Sequence, residues 1–256
     1  MQNLTVALIQ QEIVPNNPQQ NLDAFAYAMN GLCDCDLVIL PEVFTTGFCS
    51  NARNYAEFVD GSAYQWMAQQ AQKLNAVVTG SLVVKEGENH FNRLVWMRPN
   101  GTYIHYDKRH LFRMAGEHER YASGTERLLV ELNGWRILPL ICYDLRFPVW
   151  SRNRNDYDLA FYVANWPSAR ALHWNRLLQA RAIENLSYVV GVNRVGMDEK
   201  HQHYSGDSSV FGSTGEVVFS SQEAGAFVVE LFADKLKEHR SNFPAYMDAD
   251  EFQITL

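Results

Sequence analysis

Short apolar runs that resemble β-strands recur along almost the whole chain, and this recurrence limits the possible folds more than any other feature. The predicted strands cover residues 4–9, 36–41, 76–84, 92–97, 102–107, 127–132, 136–141, 158–164, 188–193, 208–211, 217–220 and 226–230. Asn100-Gly101 and Asn133-Gly134 separate neighbouring runs and predict hairpins, because both residue types tolerate positive φ. Such a chain must form sheets whose apolar faces are covered.

Helical periodicity is confined to a few segments. One follows Pro18, a second carries an apolar stripe from Ala63 to Leu74, and a third is predicted from about residue 168 to 185 with Ser168 as its N-cap. This mixture predicts a layered α/β fold. No linker divides the chain, so we expect one domain over residues 1–256, with a core of about 4–231 and a C-terminal tail of 232–256.

Composition restricts the partners and the compartment. A net charge of −7 disfavours nucleic acid, and no apolar run approaches the roughly 18 residues needed to span a membrane. The first residues resemble a strand without a preceding basic segment, so we expect no signal peptide, a cytoplasmic location and free thiols at the 4 cysteines. Cys33 and Cys35 stand closer together than zinc ligands usually do, which disfavours a metal site.

Three of the apolar runs end at residues capable of chemistry. Cys142 ends the run 136–141, Glu42 follows 36–41, and Lys108 follows 102–107. A thiol that closes a buried strand is a candidate nucleophile, and the N–H of Tyr143 could bind a developing oxyanion. A desolvated glutamate suits a general base, while a lysine beside the thiol would favour the thiolate. Taken singly, each residue is better explained by a structural role.

Further polar residues are ambiguous on spacing alone. Glu117 and Glu119 lie in the long loop of residues 113–125, where either could orient the first carboxylate or simply face solvent. His201 and His203 form a weak metal pattern without a third ligand nearby in the sequence, so we expect them in a loop.

The three strand ends, taken with their flanking residues, resemble the signature segments of the nitrilase, or carbon–nitrogen hydrolase, superfamily. The segments are Pro41-Glu42, 107–112 (DKRHLF) and 140–148 (LICYDLRFP), in the order of the family. Supporting matches lie at 165–167 (NWP), 181–185 (RAIEN) and 193–196 (NRVG). The late hairpin at 211–216 lacks the proline that relatives often carry before its glycine. The resemblance covers roughly residues 4–230.

This resemblance implies a four-layer-forming α-β-β-α sandwich that pairs as a homodimer, and a Glu-Lys-Cys triad of Glu42, Lys108 and Cys142. It implies a second glutamate after the lysine, for which Glu117 fits better than Glu119. No metal or organic cofactor is implied. Within the superfamily, the segments around the cysteine and at 164–167 are similar to those of bacterial omega-amidases, which remove the terminal amide of short 2-oxo acids such as 2-oxoglutaramate.

A carboxylate-bearing substrate needs further binding groups. The candidate anchors are Arg113, Arg146 and Arg170, and Arg146 could instead pair with Asp144. The candidate walls and binding residues are Phe44, Phe112, Tyr143, Asn165 and Trp166.

Other functions compete with this interpretation. The substrate could be another small amide, a nitrile, an N-carbamoyl amine or deaminated glutathione. A binding protein with a dead site would be expected to lack one of the triad residues, and a papain-like hydrolase would need a suitably placed histidine.

Overall fold

Two β-sheets form the centre of the computed structural model, which describes residues 1–49 and 51–255. The strands of the first sheet are β1 (Leu4–Gln10), β2 (Leu37–Ile39), β3 (Glu57–Phe58), β4 (Val77–Glu86), β5 (Asn89–Met97), β6 (Tyr103–Asp107) and β15 (Gly225–Leu231). They run in the order β15-β1-β2-β4-β5-β6, with β3 paired to β4. The pairs β1–β2 and β2–β4 are parallel, which brings the carboxyl ends of these strands to one edge.

The second sheet has six strands. They are β7 (Val130–Leu132), β8 (Trp135–Ile141), β9 (Leu159–Val163), β10 (Tyr188–Val192), β13 (Ser208–Phe211) and β14 (Val217–Ser221), in the order β14-β13-β10-β9-β8-β7. β8, β9 and β10 are parallel neighbours. A separate pair of short antiparallel strands, β11 (Val195–Met197) and β12 (His203–Ser205), projects from this sheet.

Helices cover the outer faces of both sheets. They are α1 (Pro18–Ala28), α2 (Ser62–Leu74), α3 (Pro148–Ser151), α4 (Ala171–Asn185) and α5 (Ala233–Asn242). α1 begins where its sequence predicts, because Asn17 accepts a hydrogen bond from the N–H of Gln20 and Pro18 occupies the first turn. Along β1, Leu8 faces the core between the sheets and Ile9 faces α1 and α2, as strand alternation requires. The layers are therefore α-β-β-α.

The structure confirms the predicted strands, with ends that differ by a few residues. Both predicted hairpins form, and Asn133 and Gly134 adopt φ values of 51° and 79° in the turn between β7 and β8. The short strands β3, β11 and β12 were not predicted, because two or three residues carry too little periodicity to be recognised. Across residues 1–49 and 51–255, the structure contains no helix long and apolar enough to cross a membrane.

Two local predictions are wrong. Ser168 does not cap the third helix, because a 3-10 turn over Ser168–Arg170 precedes α4 and the Ser168 hydroxyl donates to the carbonyl of His203 instead. His203 is not in a loop but begins β12, where its backbone pairs with Met197. His201 does lie in the turn before that strand.

The C-terminal tail is held against the body of its own chain. Arg240 of α5 donates to the Asp158 carboxylate at 2.5 Å, and Arg136 donates to the same carboxylate at 2.8 Å. Burial alone would raise the pKa of Asp158, but the hydrogen bonds from Arg136 and Arg240 outweigh it and lower that pKa. The stabilisation is therefore complete above the ordinary aspartate pKa of about 3.9, and is lost as the pH falls through the lower folded-state value.

Asp158→Asn is expected to lower the free energy of unfolding at pH 7 by about 2–3 kcal/mol, because both guanidinium groups lose their charged partner. Urea unfolding followed by circular dichroism measures the effect. Asp234→Asn is the matched control, because Asp234 is 97% exposed and its pair with Lys237 spans 3.4 Å. An Asp158→Asn protein with the same urea midpoint as this control would contradict the assigned role.

Candidate active site

Cys142 lies on a tight turn at the carboxyl end of β8. The residue adopts a φ of 43°, an unfavourable value for a non-glycine residue, and begins a 3-10 turn that ends at Arg146. The turn follows a buried strand directly, so the sulfur stands at the sheet edge and the N–H of Tyr143 comes next in the chain. This is the geometry of a strained nucleophile turn.

Asp144 holds this turn in place from inside the protein. Its carboxylate accepts hydrogen bonds from the N–H of Ile141 at 3.0 Å, from Tyr106 Oη at 2.8 Å and from the N–H of His110 at 3.0 Å. These contacts connect the cysteine turn to the segment that carries Lys108. The alternative pairing of Asp144 with Arg146 is wrong, because Asp144 faces inward and Arg146 faces the pocket.

Glu42 enters the site from the end of β2 and is 1% exposed. Its Oε1 accepts from Asn92 Nδ2 and from Lys108 Nζ, both at 2.8 Å. Its Oε2 accepts from the N–H of Asn165 at 2.8 Å, and the same carboxylate lies close enough to Cys142 to raise the pKa of the thiol. The carboxylate is therefore fixed by several donors while it faces the sulfur.

Lys108 connects both buried glutamates. Its Nζ lies 2.8 Å from Glu42 Oε1 and 2.9 Å from each oxygen of Glu117. Glu117 Oε2 also accepts from the N–H of Phe112 at 2.6 Å. Glu119 is exposed and belongs to the surface. Sequence spacing alone could not decide between Glu117 and Glu119, and the structure brings only Glu117 into the site.

The charges of this cluster keep the resting thiol protonated. Burial raises the pKa of Cys142 well above its ordinary value, and the negative Glu42 raises it further. Lys108 lowers the pKa of Cys142, as predicted, but burial and Glu42 outweigh it. Burial would lower the pKa of Lys108, yet Glu117 and Glu42 raise it, and the ammonium persists. Attack by this sulfur would therefore require a base.

A pocket opens above Cys142. Among its lining residues are the predicted Phe112, Tyr143, Arg146, Asn165, Trp166 and Arg170. Phe44 is not a wall, because its ring is buried between Phe25 and Trp66 beneath the first sheet. Arg113 is exposed outside the pocket. Aromatic rings and guanidinium groups thus dominate the part of the wall that the sequence predicted.

The two predicted arginines of the pocket are engaged differently. The Arg146 guanidinium lies 4.7 Å from the Trp166 ring centroid and 3.2 Å from His173 Nδ1. The Arg170 guanidinium lies over the Phe112 ring at 5.6 Å. Within residues 1–49 and 51–255, no hydrogen bond from the Arg170 guanidinium is found, so its donors are open to a ligand.

Sequence reasoning missed several residues of the site. Asn92 lies in the middle of β5, where its amide supports Glu42, and nothing in the strand pattern distinguishes it. The remaining missed lining residues are Phe48, Cys49, Ala115, Arg120, Pro167, Asp198, Lys200, Gln202 and Tyr204. Asp198 organises the loop between β11 and β12, since its carboxylate accepts from the N–H groups of Lys200 and Gln202. The sequence did not predict the β11–β12 hairpin, so the position of its loop over the pocket could not be predicted either.

Together, the fold and the site define a class of protein: an α-β-β-α sandwich in which a cysteine on a strained turn lies beside two buried glutamates and a lysine. A family model described as carbon-nitrogen hydrolase matches residues 5–234, and the chain belongs to the carbon–nitrogen hydrolase family. The predicted superfamily and the predicted α-β-β-α sandwich are thereby confirmed.

Relatives of known name cover nearly the full chain. The omega-amidase YafV of Escherichia coli K12 is 48% identical over 256 residues, which is 99% of this chain and 100% of that protein. The 2-oxoglutaramate amidase of Bacillus subtilis 168 is 31% identical over 251 residues, covering 95% and 96% of the two chains. A solved CN-hydrolase superfamily protein from Xanthomonas campestris, with an arsenic adduct in its active site, matches with a TM-score of 0.98 at 46% identity over 100% of both chains.

Proposed function

We propose that this protein is an amidase that hydrolyses the terminal amide of a short 2-oxo acid, such as 2-oxoglutaramate or 2-oxosuccinamate, to the dicarboxylate and ammonia. The observation that carries the proposal is the cluster of the partly exposed Cys142 with the buried Glu42 and Lys108, beneath a pocket with an open guanidinium at Arg170. The names of the E. coli and B. subtilis relatives support the same substrate class.

Acylation begins at the thiol. Glu42 accepts the proton of Cys142 as the sulfur attacks the amide carbon, because the raised thiol pKa leaves no standing thiolate. Lys108 Nζ and the N–H of Tyr143 stabilise the negative oxygen of the tetrahedral intermediate. Protonated Glu42 then gives its proton to the departing nitrogen, ammonia leaves, and a thioester remains on Cys142.

Deacylation uses the same groups with water. Glu42 removes a proton from the water that attacks the thioester carbon, and the proton returns to the sulfur as the acid leaves. Glu117 binds the Lys108 ammonium with both of its oxygens, so Lys108 keeps one position through both half-reactions. No metal or organic cofactor takes part in this scheme.

Arg170 is the proposed anchor for the substrate carboxylate. Its guanidinium borders the pocket, while Arg146 is already occupied by Trp166 and His173. A guanidinium binds a carboxylate through two parallel hydrogen bonds, which would also orient the far amide toward Cys142.

Arg170→Met is expected to raise KM for 2-oxoglutaramate by about 10–100-fold, because a charge-assisted contact is lost. The same change should affect a neutral aliphatic amide far less. Steady-state ammonia release from both substrates measures the difference. Arg113→Met is the matched control, since Arg113 is exposed outside the pocket. Equal losses on the charged and neutral amides would exclude Arg170 as the anchor.

Steady-state hydrolysis of a substrate panel tests the function itself. The panel compares 2-oxoglutaramate and 2-oxosuccinamate with glutamine, an aliphatic nitrile and an N-carbamoyl amine, all followed by ammonia release. Deaminated glutathione belongs to the same panel and is followed by its acid product, because its amide releases cysteinylglycine and no ammonia. The proposal requires the highest kcat/KM on 2-oxoglutaramate or 2-oxosuccinamate. A clear preference for the nitrile, the carbamoyl amine or deaminated glutathione would assign the alternative substrate, and carbamoyl hydrolysis would release carbon dioxide as well.

The assembly and compartment are further proposals. A homodimer is supported by exposed apolar side chains on α4, where Leu172 is 67% and Ile183 is 50% exposed. Light scattering after size-exclusion chromatography measures the assembly.

The cytoplasm is the proposed compartment, because the chemistry depends on a reduced thiol.

A further inference from the structure

The His110 side chain contacts the turn of Cys142 at two points. Its Nδ1 lies 2.8 Å from Asp144 Oδ1, and its ring is stacked on the Phe147 ring, with centroids 3.8 Å apart and an angle of 5° between the planes. Asp144 belongs to the 3-10 turn of Cys142–Arg146, and Phe147 directly follows that turn. A single side chain therefore holds the middle of the turn and the residue after it.

The first contact is a hydrogen bond from His110 to Asp144. Asp144 Oδ1 also accepts from the N–H of His110 at 3.0 Å, so this oxygen is an acceptor and Nδ1 must carry the hydrogen. The other oxygen of Asp144 accepts from the N–H of Ile141, the residue directly before Cys142. Asp144 is fully buried, so water cannot replace a lost donor. The bond therefore fixes the carboxylate that holds the start of the turn.

The second contact supports the wall of the pocket. The Phe147 ring packs against Tyr143, with centroids 5.1 Å apart, and Tyr143 packs against Phe112 at 5.0 Å. Tyr143 and Phe112 line the pocket, and neither His110 nor Phe147 is among the described lining residues. The stack on Phe147 therefore supports the wall from outside the pocket.

The turn needs such support because Cys142 adopts a φ of 43°. A non-glycine residue keeps such a conformation only where neighbouring contacts hold it. Catalysis depends on the placement of the reacting atoms to within about 1 Å, whereas binding in a pocket tolerates more movement. A contact that holds the turn should therefore affect kcat, and a contact that holds the wall should affect KM.

We infer that His110 is a positioning residue: its hydrogen bond to Asp144 places the Cys142 sulfur against Glu42, and its stack on Phe147 places the pocket wall. The inference rests on the proposed amidase function and adds a residue that acts on the nucleophile through its neighbours. Its two contacts have separate kinetic consequences, which substitutions can distinguish.

Two substitutions at His110 each keep one contact. His110→Phe keeps a ring for the stack and removes the donor to Asp144. His110→Asn removes the ring but keeps a donor, because its amide nitrogen is bonded to Cγ as the imidazole Nδ1 is. His110→Leu also lacks a donor, and it replaces His110→Phe if circular dichroism shows that the phenylalanine protein does not fold.

The measured quantities are kcat and KM for the panel amide that the wild-type protein hydrolyses best. His110→Phe is expected to lower kcat by about 10–100-fold and to change KM by less than about threefold, because the turn loses its donor and the wall keeps its stack. His110→Asn is expected to keep kcat within about threefold and to raise KM by more than about threefold, because the opposite contact is lost.

His239 provides the matched control. Its Nδ1 lies 2.8 Å from Ser213 Oγ, and its ring lies at 12° to the Phe243 ring, with centroids 6.4 Å apart. It belongs to α5 and is not among the described lining residues of the pocket. His239→Phe and His239→Asn should therefore keep the wild-type kcat and KM. Urea midpoints of all the variants separate lost stability from lost positioning, since a purely structural role would not divide kcat from KM.

A low kcat in His110→Phe that is restored in His110→Asn supports the role of the hydrogen bond. A kcat in His110→Phe equal to that of His239→Phe, or an equal loss of kcat in both His110 variants, overturns that role and leaves the amidase function standing. An unchanged KM in His110→Asn overturns the role of the stack. A wild-type protein that hydrolyses no amide overturns the proposed function, and the positioning role with it.

Discussion

Cys142→Ala is expected to abolish ammonia release, with kcat lowered by at least about 10⁴-fold. The proposed covalent path uses the Cys142 thiol as its nucleophile, at the turn that ends β8, and alanine removes that thiol. The folded structure should persist, because Asp144 holds the turn through its hydrogen bonds to Ile141 and Tyr106. A coupled ammonia assay under saturating substrate measures the loss.

Cys35→Ala is the matched control for this loss. Cys35 is a buried free thiol that packs in the cluster beneath α1, outside the active site. The Cys35→Ala substitution also removes a cysteine sulfur. A near-normal kcat in this variant would show that the loss of a buried thiol does not by itself reduce activity. A Cys142→Ala protein that retained turnover would end the thioester mechanism.

Glu42→Gln should lower kcat by about 10³-fold, because a glutamine can neither take the thiol proton nor deliver one to the leaving nitrogen. The glutamine oxygen can keep the contacts to Asn92 and Lys108, but its NH₂ meets the N–H of Asn165. The measured loss therefore includes one lost hydrogen bond in addition to the missing base. Kcat and KM from initial rates separate this loss from weaker substrate binding.

Glu119→Gln provides the control for Glu42→Gln. Glu119 is exposed and lies two residues beyond the buried Glu117, so its neutralisation should leave kcat and KM unchanged. If Glu42→Gln were as active as Glu119→Gln, another group would have to move the protons, and the assignment of Glu42 as the base would be wrong.

The sequence predicted the strands because they are short, continuous apolar runs bounded by turn residues. β1 is an example, since Leu8 and Ile9 face opposite sides and both are fully buried, so its residues form an apolar run without polar alternation. The Asn133-Gly134 hairpin was predictable because its turn needs positive φ at both positions. β11 and β12 were not predicted, because three residues of mixed polarity are too few to show the pattern of a strand.

The predicted triad depended on residues that end strands, and parallel strands bring such ends to one edge. Glu42 and Cys142 come from different sheets, and no spacing rule gives their separation. Phe44 was misplaced for a local reason: Val43 turns the chain at a φ of 40°, and the Phe44 ring then packs toward α1 and α2. Such a turn is not visible in a sequence of apolar residues.

The size of each effect on the thiol pKa could not be derived from the sequence. Lys108 lowers the pKa of Cys142, as predicted, but Lys108 is shared with two carboxylates whose charges it must balance. Burial and Glu42 together raise the Cys142 pKa, and only the assembled cluster shows which effect is larger. The proposed mechanism therefore assigns the thiol proton to Glu42 as the base.

The account rests on a thioester at Cys142, and trapping that thioester tests it most directly. The wild-type protein is incubated with 2-oxoglutaramate and hydroxylamine, and the products are identified by mass spectrometry. The mechanism predicts the hydroxamate of the acyl group, formed at the expense of the acid, and none from Cys142→Ala. Turnover of the amide to the acid alone, with no hydroxamate at any hydroxylamine concentration, would contradict it.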